Sequence, residues 1–136
     1  MTFAASNEML RMHRTHLLII TACGETATGL SLLAVPAISL RLLIGVEQAG
    51  PETIFVAQVA GAALLAIGVG CWLGRSDQLA PAQRGLIAGV LVYSAVVAGL
   101  LVSAGLFLDL VGIALWPAVA VHGVLLVGCV FSLWSR

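Results

Sequence analysis

The 136-residue sequence contains no lysine. Its six basic residues are all arginine and balance six acids, so only 9% of the chain is charged. An average soluble domain carries about 25% charged residues. So few charges cannot cover the surface of a water-soluble protein of this size, which excludes a soluble enzyme. A disordered tail is excluded too, because it needs high charge and low hydrophobicity. With the two signs equal and no basic stripe, a nucleic-acid partner is not indicated. The three cysteines (Cys23, Cys71 and Cys129) are odd in number, sit in apolar runs and form no C-x-x-C. A secreted disulfide scaffold is therefore excluded, and the thiols read as small buried apolar groups. There is no internal repeat, no low-complexity tract and no nucleotide-binding loop.

Apolar residues are abundant. Hydrophobic side chains make up 61% of the chain, beside 15 glycines, and the mean hydropathy is +1.14. A bilayer core needs about 20 apolar residues per helix. Four runs meet that length: 17–35, 54–74, 84–106 and 112–134. They predict one all-α domain over residues 1–136, an integral membrane four-helix bundle. Pro36 ends the first run. Gly50-Pro51-Glu52 opens the second, with an acid at the positive end of the helix. A polar turn over 76–81 leads into the third, and Asp109 is placed to cap the fourth. The first run follows Arg11 and Arg14, as a signal peptide would. It is too long for one and contains Glu25, so it reads as a retained helix.

Arginine placement predicts the orientation. Arg11, Arg14, Arg75, Arg84 and Arg136 fall on one side of four spans, and Arg41 alone on the other. Basic residues favour the cytoplasmic side, so both termini are expected there. Trp72, Trp134 and Phe131 fall near inner span ends, and Trp116, Phe55 and Phe107 near outer ones, as interfacial aromatics should. The stretch 37–44, started by Pro36 and ended by Gly45, is too short to span. It predicts a short interfacial helix with Arg41 reaching towards headgroups.

Lipid supplies no hydrophobic drive between helices, so small residues must allow close approach. Candidates are Thr21, Ala22, Thr28 and Gly29; Gly61 and Gly68; Ala66, Gly70 and Gly74; Gly85 and Gly89; and Ala95 and Gly99. Packing within the chain is the first reading of this spacing, and homodimerisation or a membrane-complex partner the second.

Of the charged residues, only Glu25 falls inside the hydrocarbon. At a rise of 1.5 Å per residue it lies roughly 16 Å below the outer end of its helix. His122 lies roughly 15 Å below the same face, and Tyr93 about 14 Å above the inner one. All three fall near the midplane, on three different spans. An ionisable group there is expensive and usually has a partner. The expectation is a buried cluster of Glu25, Tyr93 and His122, serving either as a structural contact or as a binding or proton-titrating site. Trp116-Pro117, just inside the last span, reads first as a proline in the opening turns of a helix beside an interfacial tryptophan; the alternative is a kink with a shallow outer cavity or interface, Arg41 being on the same side. His13 and His16 lack the further ligands that zinc needs. No metal, cofactor or catalytic group is indicated.

Several stretches together resemble small bacterial four-helix membrane proteins of the DoxX-like type. They are E-T-A-T-G-L-S-L-L-A-V-P from Glu25, L-L-I-G from Leu42, V-A-G-A-A-L-L-A-I-G-V-G-C-W from Val59, Tyr93, and G-I-A-L-W-P-A-V-A-V-H from Gly112. The resemblance covers residues 22–133. It implies a four-helix bundle in the cytoplasmic (inner) membrane of a bacterium, and no particular activity. Glu25 is also similar in placement to the glutamate of small multidrug resistance transporters. The third span lacks that family's aromatic and glycine signature, and a histidine occupies the fourth.

The residues point first to a non-enzymatic multi-pass protein, an accessory or structural subunit. The alternative is a proton-coupled small-molecule transporter or binder using the Glu25 and His122 pair. A membrane redox component comes third.

Overall fold

A computed structural model describes residues 3–76 and 80–134. Asp77 in the expected polar turn and Arg136 at the terminus lie outside the described residues. The described residues are all-α, with five helices: α1 (Phe3–Ala34), α2 (Pro36–Ile44), α3 (Pro51–Gly74), α4 (Ala80–Phe107) and α5 (Leu115–Trp134). Within them, Arg11–Ala34, Pro51–Gly74, Pro81–Phe107 and Leu115–Trp134 are long and apolar enough to cross a membrane.

The surface is that of a protein solvated by lipid. Phe55, Val59, Leu73, Val92, Val96, Leu100, Val124 and Val127 all point outward, while Thr21, Glu25, Gln83, Ser94 and Ser132 are buried. A water-soluble chain would reverse this arrangement.

The punctuation read from the sequence explains most helix ends. Pro36 starts α2, and Gly45 ends it in the left-handed region at φ 74°, its N–H donating to the Arg41 carbonyl. Pro51 is in the first turn of α3 with Glu52 beside it. Helix α1 begins 14 residues before the expected start of its apolar run. Good helix formers such as Ala, Glu, Met, Leu and Arg fill that segment, and no proline or glycine interrupts it.

Two expectations are corrected. Asp109 does not cap the last helix. It sits at φ 52° in the bend after α4, a conformation that aspartate tolerates better than most residues, and α5 starts only at Leu115. The connection is extended instead because its N–H groups find partners on α2. Gly112 donates to the Leu43 carbonyl at 3.3 Å and Ala114 to that of Leu42 at 2.8 Å. Second, Cys71 and Cys129 are buried, but Cys23 faces outward. Pro117 takes the first of its two expected places, with α5 continuous through it. It lies in the first turn of α5, where its missing N–H would have had no intrahelical partner.

The helices pack as two pairs, α1 along α3 and α4 along α5, with thinner contact between the pairs. Glycine makes the first pair tight. A Cβ on Gly29 would meet the Gly61 carbonyl oxygen at 2.7 Å and the Leu65 nitrogen at 2.9 Å, so the two backbones touch. Towards the end carrying Arg14, Arg75 and Arg84, side chains from all four long helices fill the space between the pairs. Leu18, Cys71, Ile87, Leu125 and Cys129 form that core. At the other end a smaller cluster of Leu32, Leu40 and Ala57 joins α1, α2 and α3.

Arginines close the helix termini at the first of these ends. Arg14 donates to the Ser132 carbonyl at 2.9 Å and Arg84 to that of Leu133 at 3.4 Å. Arg75 donates to the Trp72 carbonyl and lies 3.7 Å from the centre of the Trp72 ring. Carbonyls of a last turn are orphaned acceptors at the negative end of the helix dipole, so a cation satisfies both needs. Arg14→Ala is therefore expected to fray the end of α5 and cost about 1 kcal/mol. Hydrogen exchange in detergent would show faster exchange over 130–134 with α3 unchanged. Unchanged exchange there would count against the capping role.

Candidate functional site

Each candidate residue belongs to an inward-facing row set by helical spacing of three and four. On α1 the row is Leu18, Thr21 and Glu25, all buried. On α4, Ile87, Val90 and Ser94 are buried, with Tyr93 beside them. On α5, His122 continues the row of Leu115, Leu125, Cys129 and Ser132. Sequence position alone put the three residues at one depth. Helix rotation turns them towards one another.

Tyr93 is the centre of the cluster. Its hydroxyl donates to Glu25 Oε2 at 3.0 Å. Its ring meets the His122 ring edge to face, with centroids 5.5 Å apart and planes at 74°. The expected convergence is present, but the linkage differs from a Glu25–His122 pair. The acid and the imidazole are joined through the phenol. His122 Nδ1 is buried without a hydrogen-bond partner among the described residues. Glu25 is only 5% exposed, and the single ion pair among the described residues is the outward-facing Arg41–Glu47 contact. The tyrosine hydroxyl is thus the polar group that meets the Glu25 carboxyl.

The Tyr93–Glu25 bond joins α4 to α1, so it crosses between the two helix pairs. Beside it lies a groove between α3 and α4 of about 620 Å³, lined by Ala66, Ile67, Gly70, Gly85, Leu86, Gly89, Val90 and Tyr93. Sequence reasoning read these glycines as packing contacts. Gly29, Gly61 and Gly68 do press against a neighbouring helix, whereas a Cβ on Gly70, Gly85, Gly89 or Gly99 would meet nothing within 4 Å.

Arg41, Trp116 and Pro117 each meet different surroundings. Arg41 faces outward towards Glu47 at 3.8 Å. Trp116 folds back over α4 beside Gly105, Pro117 is exposed, and none of the three lines the groove. Sequence reasoning missed Ser94, which is fully buried with its hydroxyl unpaired among the described residues. The available signal was its polarity four residues beyond Val90 on an otherwise apolar face. Among the described residues no three His, Cys, Asp or Glu side chains are grouped to hold a metal ion.

These features define an all-α protein with four helices able to cross a membrane and a polar cluster enclosed between them. Comparison with protein-family models, curated proteins and solved structures returns no match.

Proposed function

We propose that the chain is a non-enzymatic multi-pass protein of a bacterial inner membrane that binds a lipid-soluble small molecule at the Glu25–Tyr93–His122 cluster. The reading includes a four-helix bundle with both termini cytoplasmic and α2 in the outer interface. The gathering of Arg14, Arg75 and Arg84 at one end supports that orientation. DoxX-like kinship belongs to the same proposal and adds nothing about the ligand.

The observation that carries the binding role is the hydrogen bond from Tyr93 to a buried carboxyl, with a groove opening at the tyrosine. An acid in hydrocarbon is costly to keep, and sites for small molecules are mainly apolar with a few placed polar groups. Protonation of Glu25 would change which partner Tyr93 can serve, so binding and proton uptake are coupled at this bond.

The test is native mass spectrometry of protein purified in mild detergent. Wild type is expected to retain a lipid-soluble molecule, and Tyr93→Phe to retain at least fivefold less. Equal retention by the two would reject the binding role. A second reading, an accessory or structural subunit, is favoured by the position of the bond between loosely joined helix pairs. On that reading a stoichiometric protein partner co-purifies, and Tyr93→Phe lowers the melting temperature without changing small-molecule retention.

A further inference from the structure

We infer that the groove between α3 and α4 is a lateral portal for a neutral lipid alcohol, whose hydroxyl donates a hydrogen bond to Tyr93. This rests on the binding role proposed above and names its ligand class and route.

The groove has defined limits. At one end Leu86 approaches Gly74 so closely that a Cβ there would lie 2.6 Å from Leu86 Cδ2. At the other end stands Tyr93. From Gly85 to Tyr93 along α4 is about 12 Å at 1.5 Å per residue. The groove's volume of about 620 Å³ is that of a small-molecule site. An alkyl or isoprenoid chain fits.

The chemistry of the lining chooses the polar group. Every lining residue except Tyr93 is apolar, and none is charged. A charged head would be desolvated there without a partner, which is expensive. The Tyr93 proton is already committed to Glu25, so the phenol oxygen has only acceptor capacity left for a ligand. It rewards a molecule that donates, and a hydroxyl that would be unpaired in hydrocarbon regains its bond there. An ether of the same length has no proton to give. Glu25 thus acts as a positioning residue that sets the direction of the Tyr93 hydrogen bond.

The experiment uses the full chain in detergent with three probes: dodecanol, its methyl ether and dodecylamine. Wild type is expected to bind the alcohol at least fivefold tighter than the ether. Gly89→Leu, whose side chain projects into empty groove, should lose both probes with its melting temperature retained. Tyr93→Phe should bind alcohol and ether equally. Glu25→Leu frees the phenol proton to donate to the ether, so the preference should collapse by recovery of ether binding, an effect that simple loss of stability does not produce.

Tightest binding of dodecylamine, abolished by Glu25→Gln, would overturn the neutral-alcohol assignment. A change from dimer to monomer in Gly89→Leu would make the groove a contact between copies and overturn the portal. Weaker alcohol binding in Tyr93→Phe with no loss in Gly89→Leu would leave the binding role standing and reject the groove. Loss in neither would reject both.

Discussion

Replacing Gly29 by leucine is expected to separate α1 from α3 and to lower the melting temperature in detergent by about 10 °C. The two backbones touch at this point, with the Gly61 carbonyl 2.7 Å and the Leu65 nitrogen 2.9 Å from where a Cβ would sit. Neither atom is the movable end of a side chain, so the strain must displace a whole helix. Overpacking of this kind costs about 1–3 kcal/mol, and more where relaxation is blocked. Close approach of small residues is also what holds helices together in lipid. Gly99→Leu is the control, because a Cβ there meets nothing within 4 Å. It should melt with the wild type. Equal melting of all three proteins would contradict the tight α1–α3 contact.

Tyr93→Phe is expected to cost about 1–3 kcal/mol, because it strands a buried carboxyl that the phenol satisfies. The same substitution made with Glu25→Leu should cost far less than the two single changes added together, since no polar group is then left unpaired. The coupling in such a double-mutant cycle should be about 0.5–3 kcal/mol, read from thermal or denaturant unfolding in one detergent. Additive effects would mean that the 3.0 Å contact between Tyr93 Oη and Glu25 Oε2 contributes nothing to holding the helix pairs together. His122→Ala tests the other side of the phenol. It removes an edge-to-face ring contact rather than a hydrogen bond, so its cost should be smaller than that of Tyr93→Phe.

Much of the site was legible before any coordinates. Glu25, Tyr93 and His122 could be assigned one depth because the rise of a helix is constant and each span has a recognisable end. That argument reaches height and stops there. It does not give the rotation of each helix about its axis. Tyr93 therefore emerged as the link between acid and imidazole only once α1, α4 and α5 were oriented. The same limit explains the glycines. Gly29 and Gly85 both belong to small-residue patterns, yet one lies against α3 and the other lines open space. Local sequence is alike in the two places, and only the position of the neighbouring helix distinguishes them. The cap expected of Asp109 failed for a related reason. The bend before α5 is held by carbonyls of α2, a partner some 70 residues away in sequence.

The absence of lysine and the scarcity of charge by themselves determined that this chain is solvated by lipid. Spacing of apolar residues and proline then set the four long helices and the short one after α1, because a backbone in hydrocarbon must satisfy its own hydrogen bonds. Tertiary structure alone decided which helices pair and that α3 and α4 stand apart. It also decided that the Tyr93 proton goes to Glu25. These are contacts between faces of similar composition, and their choice depends on how whole helices fit rather than on any local preference.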